Sequence, residues 1–246
     1  MSGFPPRSPG AGLELRPGEI DVWSIRLDPS PEQVERLGRC LAPEEWERAN
    51  RFRFDKHRRQ YVVGRGALRT LLAAYTGTRP ERVGFSYGPR GKPFLAPPLD
   101  AGGLQFNLSN SDELALAGFV LGREIGVDVE LLRQMPDCEQ ISERFFSESE
   151  RQVLRGLPAP KEEAFFNCWT RKEAYLKAVG EGLAAPLDSF DVTLAPGEPP
   201  RMLTLEGDAE RAARWVFRHL RPADGYLGAL AIEGGEWEVR TWSFEE

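Results

Sequence analysis

The chain has 246 residues, 41% of them hydrophobic, and a formal net charge of -6, enough apolar material for one large domain or two of ordinary size and too much for a disordered chain. Its longest run of apolar or small residues, Leu114 to Gly122, falls far short of the roughly 20 residues of a membrane span, so no transmembrane helix and no membrane partner are expected. Cys40, Cys138 and Cys168 are odd in number, widely spaced and without a Cys-x-x-Cys pair, which argues against a disulfide framework and a zinc site and for a cytoplasmic protein.

Met1 to Gly18 is rich in Pro, Gly and Ser, has no apolar stretch behind a positive start, and is expected to be a flexible tail rather than a secretory signal. Ile20 to Leu27 alternates and predicts a first strand, followed by a helix over about Glu32 to Leu41 and another opened by Pro43. From Lys56 to Tyr75 the apolar residues Tyr61, Val62, Leu68, Leu71, Leu72 and Tyr75 recur at helical spacing, with Gly77 as the stop. Val83 to Phe94 reads as strand, glycine-rich turn and strand. Leu104 to Leu108 and Leu114 to Leu121 are further strands, so a first half, residues 19–121, ends in a β meander.

Residues 122–246 repeat that plan. Ile125 to Glu130 predicts a strand, Ile141 to Arg155 a helix, and Lys161 to Val179 a long helix ending near Gly180 and Gly182. Four strands follow, at Phe190 to Leu194, Trp215 to Leu220, Tyr226 to Ile232 and Trp237 to Phe244, with Gly234 and Gly235 as a tight hairpin turn. Arg51 and Phe52 before the first long helix are echoed by Arg144, Phe145 and Phe146 before the second. The expected fold is therefore α+β, as two similar halves related by a pseudo-two-fold duplication, each a meander or sheet packed with a long helix. A monomer built in this way makes its own site at the seam between the halves.

Charge is uneven. Residues 1–121 carry 17 Lys and Arg against 14 Asp and Glu, and residues 122–246 carry 15 against 24. Arg48 to Arg69 holds eight basic residues (Arg48, Arg51, Arg53, Lys56, Arg58, Arg59, Arg65, Arg69) against the single acid Asp55, which is either a solvated helix face or a site for a polyanionic partner. No basic surface interleaved with aromatics for nucleic acid stands out.

Two segments carry possible chemistry. In Gly126-Val127-Asp128-Val129-Glu130 the two carboxylates share one strand face, a pair that suits a hard cation but that also occurs on wet strand faces. In the helix over Lys161 to Val179 the core stripe is Phe165, Cys168, Trp169, Leu176 and Val179, and Lys172 falls inside it. A lysine there requires a partner or a cavity. Glu173 and Lys177 lie side by side at i and i+4, as an ordinary surface ion pair would.

Ile125 to Glu130, followed some forty residues later by Trp169-Thr170-Arg171-Lys172-Glu173-Ala174-Tyr175-Leu176-Lys177, resembles the two signature motifs of the Sfp-type 4'-phosphopantetheinyl transferases of the W/KEA subgroup. Gly91-Lys92-Pro93 and Phe106-Asn107-Leu108-Ser109-Asn110-Ser111 are similar to two upstream motifs of that family, the second of the form F-N-x-S-H-S. The four stand in family order over roughly residues 43–190. The resemblance implies transfer of the 4'-phosphopantetheine group of coenzyme A to a serine of an apo acyl or peptidyl carrier protein, with release of 3',5'-ADP and with magnesium as cofactor. It implies that Asp128, Glu130 and Glu173 hold the metal, that Glu173 takes the serine proton directly or through a metal-ordered water, and that Lys177 binds the pyrophosphate. Arg48 is implied at the 3'-phosphate, Lys92 and Pro93 at the adenine nucleotide, and Ser109 and Asn110 at the phosphates. Asn110 departs from the pattern, since a histidine usually stands there; an asparagine amide still donates a hydrogen bond but carries no charge.

Two other readings compete. A metal-dependent nuclease also pairs strand acids with a lysine, usually two residues after the second acid, where this chain has Leu132. A non-catalytic coenzyme A or carrier-binding module would not need Asp128, Glu130, Glu173 and Lys177, all of which are present.

Overall fold

The computed structural model describes residues 3–10, 12–28, 30–180 and 186–245; Gly182, expected at the end of the long helix, lies outside them. In chain order the elements are β1 (Pro6–Arg7), β2 (Glu19–Arg26), α1 (Pro31–Gly38), α2 (Pro43–Ala49), α3 (Asp55–Thr76), β3 (Phe85–Tyr87), β4 (Pro93–Leu95), β5 (Leu104–Ser111), β6 (Leu114–Leu121) and β7 (Ile125–Leu131). There follow α4 (Cys138–Phe145), α5 (Glu148–Gly156), α6 (Glu162–Val179), β8 (Phe190–Val192), β9 (Met202–Leu205), α7 (Ala209–Ala212), β10 (Trp215–Leu220), β11 (Tyr226–Glu233) and β12 (Glu238–Phe244). The protein is α+β.

Strand alternation explains the layering. On β2 and β6, Trp23, Ile25, Ala115, Ala117 and Phe119 point to one side, where they meet Val63, Ala67, Leu68 and Leu71 of α3. Ile20, Val22, Leu116 and Val120 point to the other, against Val127 and Val129 of β7 and Leu230 and Ile232 of β11. The far face of β11, with Leu227, Ala229 and Ala231, is covered by Phe165, Cys168 and Leu176 of α6. The order is thus helix, five-stranded sheet (β1-β12-β2-β6-β5), three-stranded sheet (β10-β11-β7), helix. Burying each large aliphatic side chain contributes about 1.5–3 kcal/mol, so the apolar layer between the sheets dominates their association. Among the described residues no helix is long and apolar enough to cross a membrane.

Several sequence expectations change here. β12 does not form a hairpin with β11 across Gly234 and Gly235. It crosses to the first sheet and runs parallel to β2, with Trp242 opposite Trp23, and Arg240 and Trp242 both donate to the buried carboxylate of Asp21 on β2. The last strand of the second half therefore completes the sheet of the first. Within the segment expected to be a tail, Pro6 and Arg7 pair in parallel with Ser243 and Phe244, and Leu13 is buried. The helix expected over 141–155 is two helices, because Ser147 caps α5 in a reciprocal capping box with Glu150.

Candidate active site

The acids of β7 lie on the face that α6 covers. Gly126 makes this possible: a Cβ there would stand 1.9 Å from the carbonyl oxygen of Ala174, so only glycine lets the helix backbone approach that closely. Two residues on, the same face presents Asp128, and α6 supplies Glu173 and Lys177. Lys177 Nζ donates to Asp128 Oδ1 at 2.6 Å and to Ser109 Oγ at 2.7 Å, while Ser109 Oγ donates to the same Asp128 oxygen at 2.8 Å. The pair at i and i+4 is thus not the surface ion pair of Glu173 and Lys177; the partner of Lys177 is on β7.

The edge of β5 is stitched to the edge of β7 by alternate residues of the Phe106–Ser111 motif. Asn107 Oδ1 accepts from the Val127 amide at 2.9 Å. Ser111 Oγ accepts from the Leu131 amide at 3.2 Å and donates to Glu130 Oε2 at 2.7 Å. These side chains satisfy backbone amides of an edge strand at the seam and fix Asp128 and Glu130 in place. Asn107, Ser111 and Gly126 were not singled out from the sequence; the spacing by two of Asn107, Ser109 and Ser111 was the available sign that they share a face.

Burial pushes the Asp128 carboxyl up, against the opposing pull of Lys177 and Ser109. Burial also raises Glu173, with the negative charges of Asp128 and Glu130 adding to it and Lys177 opposing. For Glu130 burial again leads, Ser111 works against it and Asp128 with it. The three acids are therefore close enough to feel one another. Asp128 Oδ2 and Glu173 Oε1 are buried without a hydrogen-bond partner among the described residues. Among the described residues no three acidic, histidine or cysteine side chains converge into a ready-made metal cage. An arrangement of separate carboxylates with free oxygens suits magnesium, which binds one or two carboxylates and completes its shell with water and substrate oxygens.

Asn110 faces the other way from Ser109, because successive residues of a strand point to opposite sides. It lines a groove of ≈ 450 Å³ with Arg48, His57, Tyr61, Tyr87 and Pro93. Arg48, Pro93 and Asn110, three residues expected at the nucleotide, are thus brought together. Lys92 is not among them. Its ammonium donates to Glu124 Oε2 at 2.5 Å and to the Ala178 carbonyl at 3.0 Å, so it caps the C-terminal end of α6 and neutralises exposed carbonyls there.

Lys172 is accounted for without a ligand. It is fully buried, pairs with Glu150 at 2.9 Å and donates to the carbonyls of Leu187 and Phe190. It anchors the backbone at Leu187 and Phe190, ahead of and at the start of β8. Val179, expected in the core stripe, is exposed, since the helix ends one residue later at Gly180 in the left-handed conformation.

Residues 124–231 match the model of the 4'-phosphopantetheinyl transferase superfamily, and residues 25–119 match that of the 4'-phosphopantetheinyl transferase N-terminal region. The chain is 41% identical over 233 residues to the 4'-phosphopantetheinyl transferase HetI of Nostoc sp., covering 94% of this chain and 95% of that protein. It belongs to the 4'-phosphopantetheinyl transferase superfamily. A second member, the 4'-phosphopantetheinyl transferase Sfp of Bacillus subtilis, is 32% identical over 180 residues, 71% of this chain and 77% of its own. Holo-[acyl-carrier-protein] synthase of Thermotoga maritima overlaps with a TM-score of 0.36 at 23% identity, over 45% of this chain and 62% of that one, a likeness too slight to bear on the site. In this superfamily member the matched C-terminal region contains both the β7 acids and the α6 pair, while the groove is formed within the first half.

Proposed function

We propose that this transferase moves the 4'-phosphopantetheine group of coenzyme A to a serine of an apo acyl or peptidyl carrier protein, as a magnesium-dependent, monomeric, cytoplasmic enzyme that acts on no nucleic acid. The observation that carries the metal reading is the pair of buried carboxylate oxygens, Asp128 Oδ2 and Glu173 Oε1, that lack a hydrogen-bond partner among the described residues beside the ammonium of Lys177. A buried anionic oxygen left unpaired is costly, and a bound cation removes that cost.

Asp128, Glu130 and Glu173 are the residues that would hold magnesium, and when bound it neutralises charge on the pyrophosphate. Lys177, 28% exposed in its side chain, reaches the same place from α6 and, with two of its N–H groups on Asp128 and Ser109, offers its third to a phosphate oxygen. Glu173, raised by burial and by its acidic neighbours, accepts the proton of the carrier serine. The serine oxygen forms the new bond to the β-phosphorus. The bond to the bridging oxygen breaks, and 3',5'-ADP leaves with the electron pair. Ser109 keeps Asp128 and Lys177 aligned throughout. Arg48, Pro93 and Asn110 line the groove for the nucleotide end, and Lys92 contributes by fixing the end of α6.

The test is incubation of the purified chain with coenzyme A and an apo carrier protein, with magnesium or with a chelator. A carrier that gains one phosphopantetheine only when magnesium is present is the expected result. Binding of coenzyme A with no transfer at any metal concentration would favour the non-catalytic module.

A further inference from the structure

The basic stretch Arg48 to Arg69 separates in three dimensions into two groups. Five of its eight cations are neutralised within the chain. Lys56 pairs with Asp112 and Glu113, Arg58 and Arg59 with Asp55, and Arg65 and Arg69 with the buried carboxylate of Glu45. Arg48, Arg51 and Arg53 have no acidic partner among the described residues. They stand on the last turn of α2 and on the irregular link to α3, where Phe52 and Phe54 are 39% and 57% exposed. The aromatic rings are held rather than loose, with Phe52 against Tyr61 at 5.5 Å and Phe54 edge-on to His57 at 5.7 Å. The guanidinium of Arg53 lies 5.5 Å from the Phe54 ring centre.

We infer that Arg51, Phe52, Arg53 and Phe54 form the docking strip for an acidic helical face of the carrier protein; this rests on the function proposed above. Exposed large apolar residues mark interaction sites when they cluster, and aromatics and arginines are the residues that anchor interfaces. Charge selects the partner. A chain of net charge -6 repels an acidic protein at long range, so a local strip of unpaired arginine is needed to steer one in. A compact acidic helix fits a strip of four residues. A long polyanion such as single-stranded nucleic acid would extend beyond it onto Glu44, Glu47 and Asp55, which are exposed nearby. Phe52 also lines the groove that holds Arg48 and Asn110, so a carrier seated on the strip stands at the rim of the nucleotide groove.

The test is steady-state transfer by the full chain, with the KM for coenzyme A and for an apo acyl carrier protein measured separately, in the wild type, the double variant Arg51→Glu/Arg53→Glu, and Phe54→Ser. All these positions are exposed, and an unchanged melting temperature together with an unchanged KM for coenzyme A reports that fold and groove are intact. The KM for the carrier should rise on the order of ten-fold or more in the double variant. The fall of wild-type kcat/KM with added salt should flatten in the same variant. Carrier KM and salt dependence both unchanged would overturn the strip while leaving the transferase function standing. A rise confined to the KM for coenzyme A, or competitive inhibition by a short single-stranded oligonucleotide that the double variant escapes, would overturn it in favour of a nucleotide or nucleic-acid surface. No transfer by the wild type to any apo carrier protein would remove the function and the strip together.

Discussion

The ammonium nitrogen of Lys177 lies 2.6 Å from Oδ1 of Asp128, joining the long helix of the second half to the strand beneath it. Ser109 of β5 holds the same oxygen, so both hydrogen bonds fall on one side of the carboxylate and Oδ2 has no partner among the described residues. Asp128→Asn keeps the shape, removes the charge and leaves a neutral amide where the carboxylate stood. Transfer should fall about a hundred-fold or more, and the magnesium concentration for half-maximal rate should rise. A titration of rate against magnesium checks both.

Glu173→Gln separates stability from activity. The wild-type carboxyl is raised in the folded protein by burial first and then by Asp128. A folded value above the unfolded one means that protonation favours the fold. In the absence of metal, Glu173 therefore costs nothing below its unfolded value and destabilises progressively as pH rises from about 4.5 through its folded value. Glutamine has no such penalty. In the presence of chelator, the melting temperature of Glu173→Gln should exceed that of the wild type by a margin that widens with pH over that range, while kcat falls about a hundred-fold or more. A variant that loses stability at every pH would contradict the geometry.

Glu45 behaves in the opposite sense. Burial alone would raise its carboxyl, but the hydrogen bond from Arg69 and the charge of Arg65 outweigh it and hold it below the usual carboxylate value. Its stabilising contribution is present above the unfolded value, about 4.5, and is lost as pH falls through the lower folded value. Glu45→Ala leaves two buried arginines without their anion and should cost about 3–5 kcal/mol near neutral pH. That deficit should shrink on acidification below about pH 4, as denaturant titrations at two pH values would show.

Gly126→Ala tests the close approach of β7 and α6. With the added methyl 1.9 Å from the Ala174 carbonyl oxygen, the helix must move off the strand, at a cost of about 3 kcal/mol or more. Asp128 and Glu173 would part with it. Variant protein that still folds at low temperature should bind coenzyme A in the groove yet transfer poorly, so the loss should fall on kcat rather than on KM.

The groove gives a complementary expectation. Arg48→Ala should raise the KM for coenzyme A by about ten-fold with a smaller change in kcat, and the penalty should largely vanish with dephospho-coenzyme A. Asn110→His should tighten coenzyme A, more so as pH falls toward 6 and the imidazole gains charge. Titration calorimetry at two pH values decides whether Asn110 faces the ligand.

Much of this was legible in the sequence because it is local. The helix over 55–76 followed from apolar spacing and its glycine stop, and β6 and β10 from uninterrupted strand pattern, since periodicity depends only on neighbours. Asp128 and Glu130 were placed on one face by the same rule, and the motif residues placed Glu173 and Lys177 beside each other. What these residues touch was not local. Whether Lys177 pairs with Glu173 or Asp128, whether Lys172 lines a cavity or meets Glu150, and whether Lys92 reaches the nucleotide or the end of α6 all depend on contacts across 15 or more positions of chain. Strand patterning likewise marked β12 but not its partner, because an alternating strand fits any sheet edge of the right polarity. The sequence alone determined which residues carry charge and which face each one shares; tertiary packing decided which of those charges are neutralised, and so left Arg48, Arg51 and Arg53 without an acidic partner, and one oxygen each of Asp128 and Glu173 without a hydrogen bond, among the described residues. Pairing of charges is a property of distance in space, and the chain does not encode distance until its layers close.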